Sequence, residues 1–426
     1  MKWRVRKSRL SGVCRIPPSK SHSIRAVLIA TLADGHSTIR TALTGGDGAS
    51  ALKVAQIFGA NVNEHDGALT ISGLGGDLGR GGRECDCGNS GTTMRLFAGA
   101  AALGEKTRRF DGDRSLRTRK MVPLLDALKK LGARYTLLGD GAEVPFSISG
   151  PIRGGSTEVS GVTSQFVSSL LLCAPLAEQD STIRVVELNE RPYVELTLWW
   201  LERMGVPYSA SDDLSEIRVH GGCAYPTFDM DIPGDFSSAT FPAVAAALTG
   251  CEITLTGLDF TDPQGDKRVF DIMADLGCGI TKGGMGVNVA PGDRLQGGDI
   301  DLNANPDALP ALAVLATAAE GVTRLGNVPQ ARYKETDRID VMTHELRKLG
   351  ATVTDEPDAL VVERSTLRGA VVEGHDDHRV VMALALAGMA AEGETIIEGA
   401  QAAAITYPSF LDDFRALGAD IEAIND

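Results

Sequence analysis

The chain has 426 residues, 43% of them hydrophobic and 23% charged, and a formal charge of −14. This composition excludes a disordered, collagenous or disulfide-stapled chain and leaves room for two or three domains, each with its own core. The acidic balance argues against nucleic acid or an anionic membrane as partner, because such binding needs a basic face, yet it allows a local basic pocket.

The N-terminus is basic (Lys2, Arg4, Arg6, Lys7), but residues 8–20 contain no apolar run of the kind a signal peptide carries. The longest apolar stretches, such as 380–391, fall short of the roughly 20 residues that span a bilayer. The cysteines (14, 85, 87, 173, 223, 251 and 278) are scattered, with no paired Cys-x-x-Cys, which suits reduced thiols. A cytoplasmic protein is expected.

Along the chain one pattern recurs six times: an amphipathic helix, a small-residue stop, then strand, turn and strand. The stops are Gly59, Gly132, Gly205, Gly277, Gly350 and Gly418, each placed as a left-handed residue just past a helix end. A second helix, apolar nearly all round and therefore buried, recurs with openings near Lys20, Gly91, Ser164, Asp235, Asp307 and His378. Six α/β units follow, three to a domain. The last is short, so residues 3–15 are expected to supply its missing strand and make one domain discontinuous.

Ser, Thr, Asn and Asp at those openings are ordinary N-caps. Lys20, Arg25, Arg95 and Arg379 are not, since cations oppose the positive helix end unless an anion lies between. Residues 111–119 add Arg114, Arg117 and Arg119, and in Arg332-Tyr-Lys-Glu-Thr-Asp-Arg338 a lysine, a carboxylate and a forked guanidinium share one turn, suited to acid/base work and anion clamping. His375-Asp-Asp-His378 has metal-like spacing without a supporting cluster, so no metal is expected. No nucleotide-binding glycine motif occurs, and Cys85 and Cys87 have no neighbouring base.

Pro17-Pro-Ser-Lys-Ser-His-Ser-Ile-Arg25, Gly88-Asn-Ser-Gly-Thr-Thr-Met-Arg95, Thr163-Ser-Gln-Phe166, Pro233-Gly-Asp-Phe-Ser-Ser238, Pro306-Asp-Ala308, Tyr333-Lys-Glu-Thr-Asp-Arg338 and Asp377-His-Arg379 resemble the signatures of the 5-enolpyruvylshikimate-3-phosphate synthase family, in family order from end to end. The resemblance implies an α/β (α+β) fold, a two-domain inside-out α/β barrel of six βαβαββ-type repeats. The N-terminal domain would cover 17–228 and the C-terminal domain 1–16 plus 229–426, closing over their substrates. The implied reaction moves the enolpyruvyl group of phosphoenolpyruvate to the 5-hydroxyl of shikimate 3-phosphate through a tetrahedral intermediate, in a monomer without cofactor.

By the same resemblance, Lys20, Ser21, Arg25, Thr163, Ser164, Gln165 and Tyr193 hold shikimate 3-phosphate, with Asp307 and Lys334 at its 5-hydroxyl. Lys20, Gly91, Arg119, Gln165, Arg338 and Arg379 serve phosphoenolpyruvate. Asp307 is implied as the base, Lys334 as its neighbour, Lys20 as a catalytic cation and Glu335 as proton donor to the methylene carbon. Three positions depart from the family: Lys120 replaces a proline, Glu190 stands where a phosphate-binding serine is common, with Arg191 a possible substitute contact, and Ile405 stands where many members carry a lysine. The competing readings are a transferase acting on UDP-N-acetylglucosamine and a non-catalytic shikimate-phosphate binder.

Overall fold

Twelve α-helices alternate between two kinds in a computed structural model that describes residues 1–79 and 81–424. They are α1 Lys20–Leu32, α2 Gly46–Phe58, α3 Gly91–Ala101, α4 Val122–Lys130, α5 Ser164–Cys173, α6 Arg191–Arg203, α7 Phe236–Thr249, α8 Arg268–Asp275, α9 Leu309–Ala316, α10 Arg338–Lys348, α11 His378–Ala390 and α12 Phe410–Ala416. The odd-numbered helices are enclosed: every residue of α9 is buried, as is α11 from His378 to Met389. The even-numbered ones bury one side, as α4 does with Leu124, Leu125, Ala127 and Leu128. The six predicted stop glycines all have positive φ, from 70° to 120°, a conformation in which a Cβ would be strained.

The chain divides into two units, 18–232 and 1–17 with 233–426. Each has its own hydrophobic cluster and three of the six four-stranded sheets. In the sheet of the second repeat, Glu84–Asp86 runs parallel to Arg108–Asp111 with Cys85 opposite Phe110. The hairpin Arg134–Leu137 and Phe146–Ser149 then completes the sheet antiparallel. Phe110 and Phe146 face each other across the strands and stack at 5.3 Å.

Two of the sheets exchange their first strands. Gly12–Arg15, which precedes α1, pairs in parallel with Ile253–Thr256, whereas Asp229–Asp231, which precedes α7, pairs in parallel with His36–Arg40. The chain therefore changes unit after Ile232 rather than after residue 228. Residues 3–15 are not one strand: Lys2–Arg6 fills the last repeat's sheet, with Trp3 opposite Ile397 and Ala423, and after a break with Gly12 at φ 116° the chain enters a different sheet.

The buried helices pack pairwise, α3 against α1 and α5, and α7, α9 and α11 against one another. A Cβ on Gly99 of α3 would lie 2.6 Å from the Ser169 hydroxyl, so glycine permits a contact in which that hydroxyl donates to the Arg95 carbonyl at 2.6 Å. Leu312 of α9 is fully buried. We expect Leu312→Ala to destabilise the protein by about 2–5 kcal/mol, through lost transfer energy and a residual cavity, as measured by denaturant unfolding.

Candidate functional site

Functional side chains collect where the buried helices begin. In the 18–232 unit, Ser19 caps α1, Ser90 caps α3 and Thr163 caps α5, each accepting a bond from a first-turn N–H. Arg25 lies one turn into α1 and is only 2% exposed. Its guanidinium donates to the Thr197 hydroxyl (2.9 Å), the Ser21 carbonyl (3.0 Å), the Ser168 hydroxyl (3.1 Å) and the Tyr193 carbonyl (3.2 Å). These acceptors are neutral, and burial lowers its pKa to about 10, so Arg25 is still cationic at neutral pH. Lys20 lies at the same helix end, 3.5 Å from the buried Asp47.

Around α3 and α5 the groups interlock. Arg95 donates to the Gln165 side-chain carbonyl at 2.7 Å, and the Gln165 amide donates to Thr92 at 3.1 Å. Arg119 donates to Asn89 (3.2 Å) and Ser115 (3.3 Å), and a Cβ on Gly91 would lie 2.8 Å from its guanidinium. Gly91 thus leaves the space that Arg119 occupies.

Glu190 behaves in a way the sequence did not indicate. Buried, with φ 57°, it accepts bonds from the Ser164 N–H (3.3 Å) and hydroxyl (2.8 Å), so a carboxylate sits at the N-terminus of α5. Arg191 is turned to Glu195 at 2.7 Å. Lys120 reaches Glu143 at 3.4 Å, and its carbonyl accepts from Arg95.

In the other unit the cations meet carboxylates. The Arg338 side chain is 1% exposed and bridges three of them: Asp307 at 2.7 Å, Glu335 at 2.7 Å and Asp377 at 2.8 and 3.2 Å. Burial works against its charge, but Asp377, Glu335 and Asp307 together raise its pKa. Arg379 holds the other oxygen of Asp307 at 2.9 Å, and Lys334 stands 3.9 Å away. Three cations thus face three carboxylates. Asp377 also caps α11, accepting from the Arg379 and Val380 N–H groups. Ile405 packs on the hydrophobic cluster, so no charge occupies its position.

Ser168, Thr197 and Asp377 had no role assigned from sequence. For Ser168 the available signal was a polar residue inside an apolar helix, which needs a buried partner. The two histidines of the 375–378 motif part ways, His375 bonding Glu345 and His378 lying buried in α11. Burial pushes the Cys85 thiol up to about 12 and the Cys87 thiol well above its ordinary value, which leaves both unreactive. Among the described residues no helix is long and apolar enough to cross a membrane. We expect Asp377→Asn to cost about 3–5 kcal/mol in denaturant unfolding, since it leaves a buried guanidinium under-compensated.

Residues 5–414 match the family model described as EPSP synthase (3-phosphoshikimate 1-carboxyvinyltransferase). The 3-phosphoshikimate 1-carboxyvinyltransferase of Acetivibrio thermocellus is 47% identical over 421 residues, covering 99% of both chains. That of Methanocorpusculum labreanum is 41% identical over 426 residues, again covering 99% of both. The solved EPSP synthase from Acinetobacter baumannii has a TM-score of 0.82 and 26% identity over 100% of both chains.

Proposed function

The chain belongs to the EPSP synthase family, and we propose that its two clusters divide the work of the reaction between anion binding and proton transfer. It transfers the enolpyruvyl group of phosphoenolpyruvate to the 5-hydroxyl of shikimate 3-phosphate and releases phosphate, a step of the shikimate pathway. Transfer to UDP-N-acetylglucosamine and non-catalytic binding are not favoured, given relatives of this name aligned over 99% of the chain.

The observation that carries the residue roles is the bridging of Asp307 and Glu335 by one buried guanidinium. Arg338 stabilises both carboxylates in their charged forms, and Arg379 adds to this at Asp307. When the carboxylate of phosphoenolpyruvate takes over donors of these arginines, by the bidentate geometry open to arginine, Asp307 and Glu335 lose that stabilisation and gain proton affinity. Asp307 then accepts the proton of the 5-hydroxyl as its oxygen attacks C2 of phosphoenolpyruvate, and Glu335, which takes up a proton from solvent as it loses Arg338, delivers that proton to the methylene carbon. Return of a proton from the resulting methyl group to the Glu335 carboxylate, with departure of phosphate from C2 taking the proton held on Asp307, restores the double bond and both carboxylates. Lys334, beside Asp307, lowers the cost of the developing alkoxide.

Lys20, Ser21, Arg25, Thr163, Ser164, Gln165 and Tyr193 are assigned to shikimate 3-phosphate, and Gly91, Arg119, Gln165 and Lys20 to phosphoenolpyruvate. The neutral surroundings of Arg25 support this, because a guanidinium whose acceptors among the described residues are hydroxyls and carbonyls keeps its charge for an anion. Arg95 positions Gln165. We take the enzyme to act as a monomer and place it in the cytoplasm.

Phosphate release from phosphoenolpyruvate tests the reading, with shikimate 3-phosphate as acceptor and UDP-N-acetylglucosamine in parallel. Release with the first alone is expected; release with only the second, or with neither, would overturn it. We expect Asp307→Ala and Glu335→Ala to lower kcat by about 10²–10⁴-fold while substrate dissociation constants by calorimetry move only a few-fold; equal losses of rate and binding would contradict the acid/base roles. Glu190→Gln, which keeps a hydrogen-bond acceptor on Ser164 but removes a charge, should tighten shikimate 3-phosphate binding by about tenfold, because it relieves like-charge repulsion at short range.

A further inference from the structure

We propose that Glu345 and His375 are positioning residues that aim the arginines at Asp307 by fastening the turn 373–377 to α10. The proposal rests on the assignment of Arg338 and Arg379 to the substrate carboxylate. His375 and Asp376 are consecutive non-glycine residues with positive φ, 50° and 56°, a conformation that persists only where the surroundings enforce it. The enforcing group is Glu345, whose side chain is fully buried. It accepts from the Glu373 N–H at 3.0 Å, His375 Nε2 at 2.9 Å and Lys348 Nζ at 2.9 Å.

Glu345 stands seven residues after Arg338 on α10, a spacing that places both on one face. Arg338 holds the far end of the turn through Asp377, and Glu345 holds the near end through Glu373 and His375. Asp377 in turn accepts from the first N–H groups of α11, so the path of the turn sets where α11 begins and where the Arg379 guanidinium meets Asp307. A buried carboxylate is costly unless fully bonded, and two of the bonds it makes here go to the turn rather than to its own helix.

Steady-state kinetics on the whole enzyme tests this with Glu345→Gln, His375→Asn and the double variant. Asparagine tolerates positive φ but is too short to reach Glu345. We expect each single variant to raise KM for phosphoenolpyruvate by about tenfold, with kcat and shikimate 3-phosphate affinity within about twofold, and the double variant to be no worse than either single, as coupled groups require. A folded Glu345→Gln enzyme with unchanged KM for phosphoenolpyruvate would overturn the proposal, as would KM effects that multiply in the double variant. If Glu345→Gln fails to fold, His375→Asn decides by the same criterion. Arg379→Lys, run alongside, separates the two layers of the argument: an unmoved KM there faults the assignment of Arg379, whereas a raised KM there with an unmoved one in Glu345→Gln faults the positioning role alone.

Discussion

A helix with no polar side has to be enclosed by the rest of the chain, and six such helices dictate most of this structure. Once the sides of α1, α3, α5, α7, α9 and α11 are covered, their ends are where polar chemistry can gather, and the N-terminal ends carry N–H groups that need partners. Ser19, Ser90, Thr163, Asp235 and Asp377 supply those partners. α9 is entered differently, through a 3-10 turn over Pro306–Ala308, and Asp307 in that turn is left to meet Arg338 and Arg379. Function sits at the helix starts because burial leaves it nowhere better.

The two units bury arginine in opposite ways. Arg25 is surrounded by hydroxyls and carbonyls, an arrangement that satisfies its donors without cancelling its charge. Arg338 is surrounded by three carboxylates, an arrangement that cancels the charge and fixes the orientation of the acids. The first environment suits holding a phosphate. The second suits keeping an acid and a base apart on one rigid fork until a competing anion arrives. An overall negative chain accommodates both, because each environment is local and shielded from solvent.

Much of the repeat was legible in the sequence, because the stop glycines and the all-apolar helices leave signals at regular spacing. The exchange of strands was not legible: Gly12–Arg15 and Asp229–Asp231 are four and three residues long, too short for a pattern, and their partners lie far along the chain. Within the site, Asp307, Glu335, Arg338 and Arg379 could be read from motifs, but their mutual bonding could not, since it depends on three separate segments meeting. Ser168, Thr197 and Glu345 carry no motif at all. Glu190 was visible as an anomaly, yet its bond to Ser164 follows from a left-handed backbone at a helix start that sequence pattern does not encode.

The exchanged strands also impose an order on synthesis. The 18–232 unit can close its first sheet as soon as Asp231 has been made, so it can fold while the ribosome is still adding its neighbour, as N-terminal domains commonly do. The other unit is in the reverse position. Its first two strands, Lys2–Arg6 and Gly12–Arg15, are made before the 18–232 unit, yet their partners are 253–256, 394–397 and 421–424. Gly12–Arg15 therefore waits until residues 253–256 have been made and Lys2–Arg6 until 394–397 and 421–424 have been, long after the 18–232 unit has all its strands.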